Sequence, residues 1–243
     1  MPVFERLVEG DDVVLAHTFF YDTISASRSS PLTIISQFGF RRVAAKAFEA
    51  IASSLRRQLG KRLGKKWGRA KSPYEFAVIN NLPHSNISDI NHPETIKLLR
   101  ELNVDALLVC VCKNILGREL LALPNMKFVN IHASLLPRYR GPTPTFWMLY
   151  YGERETGVTF HLMTPKIDDG IILAQRAMPL DRSKSEFQIE KEVFQLAGSI
   201  VVEVLQNIAS GQIQTASESV PMAFSYYTFP TPHQRRELKR MRL

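Results

Sequence analysis

Apolar residues along this chain recur either at helical spacing or in short, almost unbroken runs, and the two patterns alternate. Helical spacing is typical of amphipathic helices, whereas a short continuous run is typical of a strand that is buried on both faces. The predicted strands are 13–15, 104–112, 126–132, 157–163 and 171–178. The predicted helices are 2–9, 43–67, two that begin at Pro73 and Pro93, 145–151, and a long one between Ser185 and Gly211.

Helix start signals support two of these predictions. Ser72 precedes Pro73 and is followed by Glu75, which is the spacing of a capping box with proline at the first helical position. Ser185 and Gln188 repeat the same spacing before the long helix. Strands that alternate with helices in this way predict an α/β fold with a parallel sheet.

Composition excludes several classes of protein. The chain has 243 residues, of which 45% are hydrophobic and 22% charged, so it is neither disordered nor collagen-like. Its two cysteines, Cys110 and Cys112, are too few for a disulfide scaffold, and we interpret them as small apolar packing residues. Because no run is long enough to span a membrane and the N-terminal residues do not resemble a signal peptide, we expect a cytoplasmic protein.

The net charge of +8 is concentrated in two segments. Residues 56–71 carry eight cations and no acid, and residues 233–243 carry five cations and one acid. The remainder of the chain is therefore acidic overall. The segment 56–71 has two interpretations: the solvated outer face of a helix, or a surface for the phosphates of a nucleotide-sugar, an RNA or an acidic membrane.

The polar residues at the end of the strand 126–132 are the first candidates for chemistry. Asn130 and His132 are one residue apart, so they project from the same face of that strand, near its carboxyl end. Open α/β sheets bind ligands at that edge. An amide and an imidazole there could polarise a carbonyl and stabilise an oxyanion. The alternative is that both side chains cap the strand end and bond to local backbone.

A second candidate is the turn between the last two predicted strands. Asp168 and Asp169 precede Gly170 there. Spacing alone favours ordinary turn chemistry over catalysis, since Asp-Gly is a common turn pair.

The sequence NIHASLLPRYRGPTP at 130–144, followed by GERETGVTFHLMTPKIDDG at 152–170, resembles the folate-dependent formyltransferases. That family includes enzymes that act on methionyl-tRNA, glycinamide ribonucleotide and amino sugars. The resemblance implies a Rossmann-like, three-layer α/β fold with a mostly parallel sheet. It also implies a catalytic trio of Asn130, His132 and Asp168, with 10-formyltetrahydrofolate as the formyl donor and no metal.

The same resemblance implies a folate site. Its expected residues are Ile115, Leu116, Ser134, Leu135, Leu136, Pro137 and Ile167. His161 matches a histidine that some members have, and Ala133 stands where the family usually has proline.

The motifs do not name the acceptor. The segment after residue 180 is short beside the C-terminal domain of methionyl-tRNA formyltransferases, and no Gly-rich phosphate loop precedes residue 104, as glycinamide ribonucleotide enzymes would have. We therefore expect a small amine, such as an amino sugar on a nucleotide. We also expect a catalytic domain over 1–210, a basic tail over 211–243 packed on or beside it, and a sheet that lacks the family's first strand.

Two other functions stay open. One is hydrolysis of 10-formyltetrahydrofolate, in which water replaces the amine. The other is a non-catalytic protein of this fold that binds nucleic acid or anionic surfaces through its basic segments.

Overall fold

A computed structural model describes residues 2–9, 13–21, 72–110, 112, 114–212 and 225–241. The helix predicted over 43–67 and the basic segment 56–71 lie outside the described residues. Within the described part of the chain, no helix is both long and apolar enough to cross a membrane.

Helices and strands alternate along most of the described chain. The strands are β1 (Thr18–Tyr21), β2 (His84–Ile87), β3 (Ala106–Val109), β4 (Lys127–His132), β5 (Glu155–Leu162) and β6 (Ile172–Pro179). The helices are α1 (Pro2–Glu9), α2 (Pro73–Ile79), α3 (Pro93–Leu102), α4 (Arg118–Leu121), α5 (Pro144–Tyr150), α6 (Glu186–Ala209) and α7 (Pro232–Met241). Both predicted helix starts are confirmed: Ser72 accepts a hydrogen bond from the Glu75 amide, and Ser185 with Gln188 forms a full capping box.

The strands pair in two groups. β1 and β2 are parallel neighbours, and a second sheet has the order β3-β4-β5-β6. In that sheet β3 and β4 are parallel, whereas β5 pairs antiparallel with both β4 and β6. The α/β class is confirmed, and the antiparallel pairing places β5 beside β4, with His161 opposite Asn130.

Alternate residues of β4 face different hydrophobic clusters. Val129 and Ile131 pack with α1, α5 and α6. Phe128 packs instead with residues of α3 and α4. Helices therefore cover both faces of the sheet, which gives the three layers expected of a Rossmann-like fold. This burial on both faces makes β4 a rigid support for the polar side chains at its end.

Two sequence predictions need correction here. The strand predicted at 13–15 is wrong in position, because pairing with β2 begins at Thr18, opposite His84, and Val14 is 89% exposed. The cysteines do not both pack as apolar residues: β3 ends at Val109, Cys110 is exposed, and the Cys112 Sγ lies 2.9 Å from the Tyr21 hydroxyl.

The segment 211–243, expected as a basic tail, contains the helix α7 (Pro232–Met241). α7 buries Leu238 in the main core, and Glu237 accepts a hydrogen bond from the Tyr150 hydroxyl at 2.5 Å. Arg235 lies over the Phe146 ring at 5.1 Å. These contacts attach the end of the described chain to α5, the helix that follows the loop at the end of β4.

Candidate functional site

The end of β4 and the turn after β5 come together at one edge of the sheet. Asn130 lies opposite His161 in the antiparallel register of β4 and β5, and His132 lies opposite Thr159. Asp168 occupies the turn between β5 and β6 with a left-handed φ of 49°. A Cβ atom at position 170 would lie 1.6 Å from the Leu162 carbonyl oxygen, so only glycine allows this turn to fold back on β5.

Asn130 bridges the two strands and the turn. Its Nδ2 atom lies 3.1 Å from the Nε2 atom of His161 and donates to Oδ1 of Asp168 at 3.4 Å. The Nδ1 atom of His161 lies 2.9 Å from the Leu162 carbonyl oxygen, which can only accept. Nδ1 of His161 therefore donates to that carbonyl oxygen, and Nε2 faces the Asn130 amide. This contact fixes the direction of the Asn130 amide.

His132 is buried, with 7% of its surface exposed. Its Nε2 atom donates to the Tyr139 carbonyl oxygen at 2.9 Å, and its Nδ1 atom lies 3.6 Å from Oδ2 of Asp168. Burial lowers the pKa of His132 below its ordinary value of 6.5, although the Asp168 carboxylate and the Tyr139 carbonyl oppose that shift. The ring is therefore neutral at rest, with its free nitrogen turned towards Asp168.

The carboxylate of Asp168 is held from several sides. Burial alone would raise its pKa, but the contact with His161, the positive charge of His132 when its ring is protonated and the Gly141 amide favour the carboxylate, and the net pKa lies below the ordinary value. The Gly141 amide donates to Oδ2 at 2.8 Å, and Nε2 of His161 lies 3.5 Å from Oδ1. Asp168 is thus an oriented anion between two histidines.

These pKa shifts predict a loss of stability in acid. Because the pKa of His132 is lower in the folded state than its ordinary 6.5, the unfolded chain binds more protons as the pH falls below 6.5. The free energy of unfolding should therefore decrease from neutral pH downwards. The lowered pKa of Asp168 has the same sign, and its stabilising contribution is lost below its ordinary value of 3.8. Urea unfolding at a series of pH values measures both effects.

The histidine variants give the control for that experiment. His132→Gln should flatten the decrease in unfolding free energy below pH 6.5, since the buried titrating group is gone. His233→Gln is the matched histidine change outside the site, at a side chain that is 78% exposed. Equal slopes in the wild type and His132→Gln would contradict the prediction.

The loop 133–143 between β4 and α5 supplies backbone groups to the site. Tyr139 and Thr143 have φ values of 59° and 55°, a left-handed conformation that is unfavourable for such residues. Side chains hold the loop: the Ser134 hydroxyl donates to the Arg138 carbonyl at 2.9 Å, and the Tyr139 hydroxyl donates to Glu153 at 2.6 Å. Several hydrogen bonds therefore hold the loop in this unfavourable backbone conformation.

The residues expected at a folate site divide into buried and accessible ones. Leu116, Ser134 and Leu136 are buried, and their side chains support the core and the loop. Ile115 is 64% exposed and Ile167 is 40% exposed. Leu135 and Pro137 are half-buried. Because Val109 at the end of β3 is paired with Asn130, the segment with Ile115 follows β3 at the edge that also carries the polar site.

Comparison with protein families places the chain in a known family. The model of the family described as "Formyl transferase" matches residues 61–205, which is more than half of the chain. The chain belongs to the formyl transferase family. The resemblance stated from the motifs at 130–144 and 152–170 is thereby confirmed.

Curated relatives of this formyl transferase chain are longer than it is. The methionyl-tRNA formyltransferase of Thermotoga neapolitana is 36% identical over 149 residues, which cover 60% of this chain and 48% of the relative. The protein of the same name from Chloroflexus aggregans is 38% identical over 138 residues, covering 57% and 45%. The chain spans about half the length of the curated relatives it matches.

Solved structures confirm the fold. A sugar N-formyltransferase from a Shewanella species has a TM-score of 0.52 at 23% identity, covering 65% of this chain and 60% of that protein. HypX from Aquifex aeolicus, solved in complex with tetrahydrofolic acid, has a TM-score of 0.54 at 22% identity, covering 65% and 27%. The Rossmann-like formyltransferase fold expected from the motifs is confirmed.

The structure brings the three predicted catalytic residues together and adds groups that sequence reasoning did not assign to the site. His161 is 2% exposed and contacts both Asn130 and Asp168. Strand alternation could have found it, because a residue opposite Asn130 in an antiparallel pair shares its face. The Gly141 amide and the Tyr139 carbonyl carry no side-chain signal, so no sequence pattern indicates their positions.

Proposed function

We propose that this protein transfers a formyl group from 10-formyltetrahydrofolate to an amine. The single observation that carries the proposal is the cluster of Asn130, His132 and Asp168 at the carboxyl edge of the sheet, in a chain of the formyl transferase family. An oriented amide, a buried imidazole and a held carboxylate are the groups that acyl transfer through a tetrahedral oxyanion needs. The proposal places the protein in the cytoplasm, which its free cysteines support.

Asn130 supplies the oxyanion donor in this mechanism. The acceptor nitrogen attacks the formyl carbon, a C–N bond forms, and the carbonyl oxygen becomes an oxyanion. One N–H of the Asn130 amide is directed to His161 and Asp168, which leaves the other N–H for that oxygen. Since the amide is already fixed, no reorganisation is required when charge develops.

His132 and Asp168 handle charge and protons. In this conformation both nitrogens of His132 face protein atoms, and Nδ1 lies 3.6 Å from Oδ2 of Asp168. Asp168 accepts the proton that the attacking amine releases, directly or through a water, and shares it with Nδ1 of His132. While Nδ1 holds that proton, the charged ring stabilises the oxyanion and Asp168 stabilises the ring. Return of that proton to N10 as its bond to the formyl carbon breaks releases tetrahydrofolate and the formylated amine.

The accessible apolar residues beside this edge fit the ring system of a folate. Ile115 and Ile167 offer apolar surface, while the buried Leu116, Ser134 and Leu136 set the position of the loops around it. Replacement of Ile115 by Asp should weaken binding of a stable donor analogue, 5-formyltetrahydrofolate, in calorimetry. Val78→Asp on α2, at a residue that is 41% exposed, is the matched control and should bind as the wild type does.

The acceptor has two candidate classes. A small amine, such as an amino sugar on a nucleotide, was expected from the sequence. The amine of an aminoacyl-tRNA is the second candidate, and it is favoured by the names of the relatives at 36% and 38% identity. Supplying each class with the donor and following the formylated product by mass spectrometry distinguishes them.

Asn130→Ala should lower the turnover number by about 10²- to 10³-fold, because the oxyanion loses its oriented donor. Donor affinity should change little, since the amide acts on charge that develops only in the transition state. Steady-state kinetics and calorimetry measure the two quantities. Asn207→Ala on α6 is the control for an asparagine outside the site. Equal turnover by the wild type and Asn130→Ala would contradict this assignment.

A further inference from the structure

Arg140 is the point where three segments of the site meet. Its amide donates to the Ser225 carbonyl at 2.9 Å, and its carbonyl accepts from the Tyr227 amide at 3.0 Å. Its guanidinium forms an ion pair with Asp169, next to Asp168 in the chain. The residue after it, Gly141, donates its amide to the Asp168 carboxylate. One residue thus connects the C-terminal segment 225–229 to the turn that carries Asp168.

The segment 225–229, which we name the C-terminal strap, lies along the loop 133–143. Arg140 and Tyr226 form a parallel bridge, and the Ser225 hydroxyl accepts from the Tyr139 amide at 2.8 Å. The Tyr227 ring stacks on Tyr139 with 5.5 Å between ring centroids. A Cβ atom at position 141 would lie 2.1 Å from the Tyr227 carbonyl oxygen, so glycine is required for this close approach. These contacts hold a loop whose left-handed residues would otherwise relax.

We propose that Arg140 is a positioning residue: held by the C-terminal strap, it fixes the Asp168 carboxylate through its ion pair with Asp169 and through the amide of Gly141. This inference goes beyond the catalytic trio and rests on the proposed function for its kinetic consequence. A displacement of about 1 Å at a reacting group can cost on the order of 10²-fold in rate, so loss of this support acts on turnover.

The charged groups around Asp168 predict opposite changes in its pKa for two variants. His132 and Asn130 face it from β4, His161 from β5, and Arg140 and Asp169 flank it. Lys166 also lies 3.8 Å from Asp169, but it is exposed. Arg140→Ala leaves Asp169 as an additional anion and should raise the pKa of the Asp168 carboxyl. Asp169→Asn leaves Arg140 as an additional cation and should lower that pKa.

The test compares the steady-state kinetics of Arg140→Ala, Asp169→Asn and the conservative variant Arg140→Lys with those of the wild type. Both Arg140→Ala and Asp169→Asn should lower kcat by about 10- to 100-fold, with KM for the donor changed by less than about threefold. The acidic limb of the pH profile of kcat should move up by about half a unit in Arg140→Ala and down in Asp169→Asn. Arg140→Lys should recover part of kcat with the wild-type pH profile. Arg176→Ala, which removes an exposed ion pair with Glu203, is the matched control.

A second readout separates this proposal from the proposed function. The ring signal of His132 can be titrated by nuclear magnetic resonance in the folded protein without any substrate. Its apparent pKa should rise in Arg140→Ala and fall in Asp169→Asn, whether or not the wild type transfers formyl groups. A His132 titration in both variants that matches the one in Arg176→Ala would overturn the proposal. If the wild type is active, an unchanged kcat and pH profile in Arg140→Ala and Asp169→Asn would also overturn the proposal.

Discussion

Asp168→Asn should lower the rate of formyl transfer by about 10³-fold, since general acid–base catalysis contributes about 10²- to 10⁴-fold. The variant also loses the negative charge that faces His132. The substitution keeps the shape of the side chain and its hydrogen bond from the Gly141 amide. It removes the anion that lies 3.6 Å from Nδ1 of His132. The variant should therefore fold and bind the donor, and single-turnover kinetics should show the loss in the chemical step.

The control for that prediction is Asp105→Asn, which changes an exposed aspartate before β3 in the same way. Its rate should equal the wild-type rate. If Asp168→Asn turns over within about tenfold of the wild type, Asp168 does not carry the proton, because general acid–base catalysis is worth at least about 10²-fold. The assignment of the catalytic trio would then be contradicted.

Phe160→Ala should destabilise the folded state by about 3–5 kcal/mol, as is typical when a fully buried phenylalanine is truncated. Phe160 is 0% exposed and pairs with Ile131 across β4 and β5. Its removal leaves a cavity against α5 and α6 in the cluster that supports the end of β4. Urea unfolding measures the free energy. Because His161 is the next residue, donor binding should weaken as well.

Phe187→Ala is the matched phenylalanine change, at the start of α6, where the side chain is 63% exposed. It should alter the free energy of unfolding by less than about 0.5 kcal/mol, as surface substitutions usually do. A loss at Phe160 no larger than the loss at Phe187 would contradict the burial that the fold assigns to β5.

Much of the fold was predictable because its signals are local. The residues 104–112 form an almost unbroken apolar run, which is typical of a strand between two helical layers. β3 forms within that run, at Ala106–Val109. The capping residues Ser72 and Ser185 mark their helices for the same reason: each provides an acceptor for an unpaired amide of the first turn. These features do not depend on distant parts of the chain.

The elements that sequence reasoning missed are decided by distant contacts. β2 has the sequence His-Ser-Asn-Ile, which has no apolar pattern, and it is a strand because it pairs with β1. α7 is very polar and is attached through Leu238, Glu237 and Arg235 to elements far away in the chain. Tertiary contacts override local preference in both cases.

The candidate site shows the same division. Residue type and spacing made Asn130 and His132 candidates, the family resemblance added Asp168, and the structure brings all three together. The contributions of Arg140 and Gly141 come from their contacts with the turn that carries Asp168 and Asp169, and the C-terminal strap contacts the loop across more than eighty residues. No spacing in the sequence reports such contacts.

Release of tetrahydrofolate from 10-formyltetrahydrofolate by the purified protein, measured with and without an amine acceptor, decides whether this chain is a formyltransferase. We expect release that depends on the amine, an equal amount of formylated amine, and loss of both in Asp168→Asn. Release at the same rate without any amine would contradict transfer and indicate hydrolysis. A folded protein that neither binds the donor nor releases tetrahydrofolate with small amines or aminoacyl-tRNA would contradict the proposed function.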